Sequence, residues 1–304
     1  MTADQLTFNR DLPADAGQCE RISPLIRRIV APNPSPYTFT GTCSYIIGKG
    51  EVAIVDPGPL LPEHCDALLQ AVSGEVVSHI LVTHTHRDHS PAAAILKQET
   101  GAVIAGCHPN PLARPLGPGE VDPFTTSSDG NYHPDIVLED GNSIDGAGWS
   151  IEAVTTPGHT ANHVCFRLNQ ENALFSGDHV MAWSTTVVVP PEGSMSSYMA
   201  SLEKLLQRNE EIYWPGHGGP VKDPRAFVRA LLIHRRAREA SILNRIRNGD
   251  QTIQQIVAAI YPEIPTALTN AAGASVFAHL EDMIAKGTVK TDGFPGYGSN
   301  YQPA

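Results

Sequence analysis

The segment His84-Thr85-His86-Arg87-Asp88-His89 sets four metal-binding side chains, His84, His86, Asp88 and His89, within six positions. Imidazole and carboxylate together suit Zn²⁺, Fe²⁺ or Mn²⁺. Upstream, VVSHILVT (76–83) reads as a buried strand; downstream, Ser90 and Pro91 read as the N-cap and first residue of a helix, PAAAILKQETG. The cluster therefore sits on a strand-to-helix loop. There His84 and His86 can point to one side while Asp88 and His89 point to another, so one loop can feed two metals. A loop histidine capping a helix would account for any one of these residues; four together need a common cause.

Working outward, YIIGKGEVAIVD (45–56) reads as strand, turn, strand, followed by a helix over 62–72. GAVIAGC (101–107) is a short strand, and residues 108–147, rich in Pro, Gly, Asp and Ser, form a long irregular excursion. Strands resume at WSIEAVTT, HVCFRLNQ and NALFSGD, a helix spans 195–207, and a strand, EIYWPGH, ends at His217. Many strands with interspersed helices give an α/β or α+β core. Past 222 the chain turns helical: Asp223 and Pro224 open one long helix, two more cover about 252–261 and 268–286, and GTVKTDGFPGYGSN (287–300) suits a hairpin. Three helices and a hairpin suggest a winged-helix appendage, so the domains expected are 1–222 and 223–304.

Three further candidates lie in strand-end loops: His159 in TPGHT, Asp178 in SGDH and His217 in PGHGG, each preceded by a glycine that permits a tight turn or close backbone approach. HxHxDH followed by an isolated His, an Asp and a His, in this order, resembles the metallo-β-lactamase superfamily, and the Asp56 and Gly58 turn matches its early motif. The resemblance covers about residues 30–220. It implies a four-layer αββα sandwich with the metals at one edge. His84, His86 and His159 would bind a first metal, Asp88, His89 and His217 a second, and Asp178 would bridge both. The cofactors implied are two divalent ions, zinc first, with iron or manganese acceptable to the same ligands. In such a site a bridging water is acidified from a pKa of 15.7 toward about 7, supplying hydroxide as nucleophile. Asp88 is the expected catalytic residue, a ligand that also orients the hydroxide.

Departures narrow the branch. Asp178 stands where zinc β-lactamases of one major subclass carry Cys, Met181 stands where lactone-degrading relatives place Tyr, and GDHVMAWSTT lacks the Cys-Gly-Arg segment of the glyoxalase II type. NPSPYTFTGTCSYIIG (33–48, with Cys43 where Asn is usual), WSTTVVVPPEGSMSSYMASLEKLL (183–206) and HRRARE (234–239) resemble the branch with a C-terminal winged helix, to which the mitochondrial β-lactamase-like endoribonuclease belongs. That likeness implies hydrolysis of a phosphodiester such as single-stranded RNA. Hydrolysis of a small thioester or ester is the alternative, and a metal-sensing DNA-binding protein the non-enzyme reading. Arg235 falls in an apolar helical stripe with Glu239 at i+4; it either forms an interdomain ion pair or meets a substrate anion at the mouth of the metal site, beside Thr185 and Thr186. His163 and His179 are expected to pack behind the ligands, and His64, His79, His108, His133 and His279 to be structural or exposed.

Composition sets the outer bounds. A net charge of -11 excludes whole-surface affinity for nucleic acid or anionic membrane, and residues 223–304, with nine basic and seven acidic side chains, are too weakly basic for strong duplex binding. Five scattered cysteines without CxxC suggest neither a disulfide framework nor a thiolate zinc site. No run is long enough to span a membrane, and MTADQLTFNRDLPADAG lacks the pattern of a secretion signal, so a cytoplasmic monomer or homodimer without membrane contact is expected.

Overall fold

Runs rich in Val and Ile, broken by Gly, Pro and Asp turns, build two facing sheets. The computed structural model describes residues 6–12 and 14–304; the first five positions, part of the segment read above for a secretion signal, lie outside the described residues. The first sheet holds β1 (Glu20–Arg21), β2 (Ile26–Val30), β3 (Cys43–Lys49), β4 (Glu51–Val55), β5 (Val76–Val82), β6 (Val103–Gly106) and β7 (Ile136–Val137) in chain order. Pairing is antiparallel from β1 to β4 and parallel from β4 to β7. Parallel neighbours need crossovers, which α1 (Pro62–Ala71) and α2 (Ala92–Thr100) supply on either side of β5. The second sheet holds β8 (Ser143–Gly146), β9 (Trp149–Thr155), β10 (Val164–Leu168), β11 (Ala173–Gly177) and β12 (Ile212–Pro215). Its one parallel pair, β11 with β12, is joined through α3 (Met195–Leu206).

Inner faces of both sheets share one core, in which Tyr45 of β3 meets Phe175 of β11 at 5.1 Å and Trp214 of β12 at 6.3 Å between ring centroids. Side chains alternate along β10: Phe166 and Leu168 enter this core, while Cys165 faces the opposite way, toward α3. Helices thus cover both outer faces, giving the four layers expected. Pro91 adopts helical angles before α2, but Ser90 does not cap that helix. Its Oγ donates instead to Asp129 at 3.0 Å, tying the histidine loop to the 108–147 excursion.

Helix α4 (Pro224–Arg247), capped by Asp223, serves two cores. Val228, Leu231 and Leu232 pack with Tyr198 and Leu202 of α3 on the back of the second sheet. Ile242 and Ile246 pack with α5 (Ile253–Ile260) and α6 (Thr269–Ala285). The hairpin expected within 287–300 forms with its second strand beyond that span, as β13 (Val289–Thr291) and β14 (Tyr301–Pro303) around a loop at 292–300. Glu239 does not pair with Arg235; it meets Lys286 at 3.3 Å. Among the described residues no helix is long and apolar enough to cross a membrane.

His279 of α6 is buried with neither ring nitrogen hydrogen-bonded. Burial, then the Arg235 and Arg238 guanidinium groups, with Lys286 and His234 adding to them, push its pKa down to about 3. An unfolded histidine takes its proton near pH 6.5. The unfolded chain therefore gains protons first, so this contribution to stability is intact above about pH 6.5 and is lost as pH falls toward 3. His279→Leu should reduce the drop in melting temperature between neutral and mildly acidic buffer, read by scanning calorimetry on chelator-treated protein; an unchanged drop would refute this assignment.

Candidate metal centre

Strand ends from both sheets bring the seven candidate ligands together. His84, His86, Asp88 and His89 follow β5, His159 follows β9, Asp178 follows β11 and His217 follows β12. The two sheets are locked at this edge by a bridge between Thr42 and His217 and by the Cys43 amide donating to Gly216 O at 2.7 Å. Gly216 and Gly177 leave the space required: a Cβ on Gly216 would stand 2.6 Å from His89 Cε1 and 2.7 Å from Asp178 Oδ1, and Gly177 adopts φ +48 with His163 2.6 Å from where a Cβ would be.

His84 Nε2 and His159 Nε2 each lie 3.1 Å from His86 Nδ1. His217 Nε2 lies 3.3 Å from His89 Nε2 and 3.2 Å from Asp88 Oδ2. Asp178 stands between the two groups, with Oδ2 3.7 Å from His159 Nε2 and 3.4 Å from His217 Nε2. Its Oδ1 is buried with no hydrogen-bond partner. Three ring nitrogens at such spacing cannot all be satisfied by hydrogen bonds to one another, and a buried carboxylate oxygen without a donor is costly. Both observations fit a pair of cations.

Each imidazole is oriented from behind. His84 Nδ1 bonds Thr83 Oγ1 at 3.0 Å, His89 Nδ1 bonds Asp56 Oδ2 at 2.9 Å, His159 Nδ1 donates to Val187 O at 2.7 Å, and His217 Nδ1 donates to Gly41 O at 3.3 Å. His86 is turned the other way, Nδ1 inward, with Nε2 facing Glu192 Oε1 at 3.6 Å. Such partners fix the tautomer that leaves the inward nitrogen free for a metal. Asp56, at φ +47, accepts from both the amide and hydroxyl of Thr83 at 2.8 Å and so joins the loop's first turn to His89.

Burial, then the neighbouring imidazoles, lowers His84 well below the ordinary histidine range, and burial with His86 takes His159 to about 4. Burial opposes charge on His89 and His217 as well, yet Asp88 and Asp178 outweigh it, raising His89 well above its ordinary value and His217 to about 9. Positive charge is thus favoured between the second triad and Asp178, a condition a divalent cation meets.

A cavity of about 890 Å³ opens over the cluster, lined by Tyr37, Met181, Val187 and Val189 as well as by His86, Asp88 and Asp178. Thr185, Thr186 and Arg235, expected at its mouth, are not among the described lining residues. Arg235 is 3% exposed, lies over the Tyr198 ring at 5.1 Å and donates to Thr186 O at 2.5 Å. Thr186 turns its hydroxyl inward to Asp178 O. Arg235 and Thr186 therefore brace the Asp178 loop, the guanidinium on the buried face of α4 being satisfied by a backbone carbonyl. His163 packs behind the centre as expected, accepting from the Asp178 amide at 3.2 Å, and His179 lies against Tyr198. His64 bonds Ser44 Oγ at 2.9 Å and His79 packs edge-on to Trp149.

Sequence reasoning missed Glu192, which accepts from Ser127 Oγ at 2.8 Å and Ser128 Oγ at 2.5 Å. Its surroundings, PPEGS, carry no diagnostic spacing. It also missed Asn270 of α6, which brings the C-terminal unit to the cavity.

Comparisons with known proteins agree with this architecture. The sequence profile of the metallo-beta-lactamase superfamily matches residues 37–217, and that of the beta-lactamase associated winged helix domain matches residues 252–294. An atrochrysone carboxyl ACP thioesterase of Aspergillus terreus is 30% identical over 259 residues, 80% of this chain and 73% of that protein. A beta-lactamase-like protein 2 homolog of Caenorhabditis elegans is 29% identical over 280 residues, covering 90% of this chain and 89% of its own. A metallo-beta-lactamase family protein from Thermus thermophilus shares the fold at a TM-score of 0.74 and 23% identity, over 93% of this chain and all of that one. With seven candidate ligands gathered at one edge of two facing sheets, and both profiles matched in order, the chain belongs to the metallo-beta-lactamase superfamily of hydrolases, in the branch with a C-terminal winged helix.

Proposed function

We propose that this hydrolase holds two divalent cations and cleaves thioesters. The observation that carries the substrate reading is the lining of the cavity. Among its described residues there is no Lys and one Arg, Arg87, whose guanidinium is committed to Ser128 O at 3.2 Å and Phe124 O at 3.1 Å. A phosphodiester chain such as single-stranded RNA is held through several cationic contacts along its backbone. An acyl thioester is neutral at its reacting carbonyl and asks for an apolar wall with a few polar groups, as Met181, Val187 and Val189 beside the carboxylates supply. The name of the Aspergillus terreus relative, a thioesterase, supports the same choice.

In this reading His84, His86 and His159 would hold the first ion and Asp88, His89 and His217 the second, with Asp178 between the two groups. Two such ions, zinc fitting this donor set, would when bound lower the pKa of water toward neutral and polarise a carbonyl oxygen. Asp88 lines the cavity, and His89 and His217 keep its carboxyl ionised against the effect of burial. As an ionised carboxylate it would accept a hydrogen bond from the attacking hydroxide and orient it toward the acyl carbon. The acyl carbon gains a bond to oxygen, the carbon–sulfur bond breaks, and the thiolate leaves. Asp56 and Glu192 act at one remove, keeping His89 and His86 aimed inward.

Protein reconstituted with zinc should carry about two ions per chain by elemental analysis, and Asp178→Ala about one or fewer with its circular dichroism retained; one ion or none in the parent would sink the two-metal site. Asp88→Ala should lower kcat for thioester hydrolysis by roughly 10²- to 10⁴-fold, the usual weight of a positioned acid or base, with little change in melting temperature. Cleavage of single-stranded RNA by the parent, without thioester turnover, would overturn the substrate assignment.

A further inference from the structure

A second chamber, of about 610 Å³, lies next to the metal cavity, and the two share Thr126, Ser127, Val189 and Glu192 as a common wall. Both volumes fall in the range of small-molecule sites. The far chamber is lined by three segments from different parts of the chain: residues 118–127 of the irregular excursion, 189–192 after the Asp178 loop, and 294–299 between β13 and β14.

Its walls are apolar and held in place. Val121 is 63% exposed, Phe294 49%, Tyr297 40% and Val189 38%, so four of the exposed large hydrophobic side chains among the described residues line one hollow. Isolated exposed hydrophobics need no explanation, but a concave group of them next to a reactive centre does. Tyr297 is backed by Phe277 of α6 at 4.9 Å, and Tyr301 Oη donates to Gly296 O at 2.6 Å. Arg114 clamps the excursion to α6, pairing with Glu120 and Glu281 at 2.6 Å each while lying over the Phe294 ring at 5.5 Å. No Lys or Arg is among the described lining residues, and both carboxylates there are engaged, Glu120 with Arg114 and Glu192 with Ser127 and Ser128. The hollow is therefore braced in advance, has its two carboxylates hydrogen-bonded, and adjoins the metal cavity across Thr126, Ser127, Val189 and Glu192.

We propose that this hollow receives the acyl chain of the thioester, with the winged-helix hairpin loop as its outer wall. The inference rests on the thioesterase reading for its chemistry and on the shared wall for its direction. The reacting carbonyl lies over Asp88 and Asp178, and the chain passes Glu192 and Val189 toward Phe294 and Tyr297. Selection for chain length then resides in the C-terminal unit rather than in the metal ligands.

Acyl-N-acetylcysteamine thioesters from acetyl to decanoyl test this on the zinc-loaded full chain. Burial of each methylene should raise kcat/KM by about fourfold until the hollow is filled. Gly298 lines the hollow, has an ordinary backbone conformation, and a Cβ there meets nothing within 4 Å. Gly298→Trp should therefore fold and fill the space, lowering the ratio of decanoyl to acetyl kcat/KM at least tenfold. Val121→Asp, at an exposed position, should lower the same ratio by placing a charge beside the chain. Calorimetric binding of the non-hydrolysable S-decyl-N-acetylcysteamine should weaken in step with both variants. A flat chain-length profile, or one that neither variant alters, overturns the acyl site while leaving thioester hydrolysis standing. Absence of any thioester turnover overturns the function; the binding arm then decides the hollow by itself, and decyl binding that neither variant weakens refutes it.

Discussion

Five imidazoles and two carboxylates can converge here only if two separate sheets end at the same edge and are held there. The seam between Cys43 and Gly216, with Thr42 opposite His217, provides that constraint. Tyr45 reinforces it, its ring packed among Phe175 and Trp214 and its hydroxyl donating to Pro215 O at 2.7 Å. A ligand on β12 is thereby referenced to the first sheet, which carries His84 to His89 on the loop after β5. Were the sheets to slide, each ligand would keep its local conformation and lose its neighbours.

Around that seam the buried charges are arranged in a chain rather than singly. Asp56 takes donors from Thr83 and His89, so one carboxylate fixes both the start and the end of the histidine loop. A buried carboxylate without such donors would be strongly destabilising, which is why a left-handed backbone at Asp56 is tolerated where it brings the side chain under the loop. Glu192 plays the matching part for His86, held by two serines of the excursion. The loop is thus rigid because its supports are polar and satisfied, and the convergence of lone pairs above it follows from that rigidity.

Legibility in the sequence followed the density of rare chemistry. His84, His86, Asp88 and His89 stood out because four metal-binding groups in six positions have few other uses, and His159, Asp178 and His217 because each follows a glycine in a strand-end loop. The layers were readable from strand and helix periodicity, since each buried face imposes its own repeat. Ser90 misled because a residue suited to capping also suits a side-chain bond to a distant carboxylate, here Asp129. Arg235 misled because a helical stripe tells which residues share a face but not what lies opposite. The carbonyl of Thr186 lies far away in sequence and has no signature. Glu192 and the hollow at 294–299 arise from segments that meet only in three dimensions, so no local pattern could announce them.

Helix α4 leaves the two units without a clean cut between them. Its first turns cover the back of the second sheet, Arg235 steadies the carbonyl behind Asp178, and its last turns pack against α5 and α6. Swapping the C-terminal unit for that of a relative would therefore exchange more than an accessory: it would replace a beam on which the reactive edge is mounted. A shift of α4 is thereby passed through Arg235 and Thr186 to the loop that carries Asp178, so the tail and the reactive edge move as one working part.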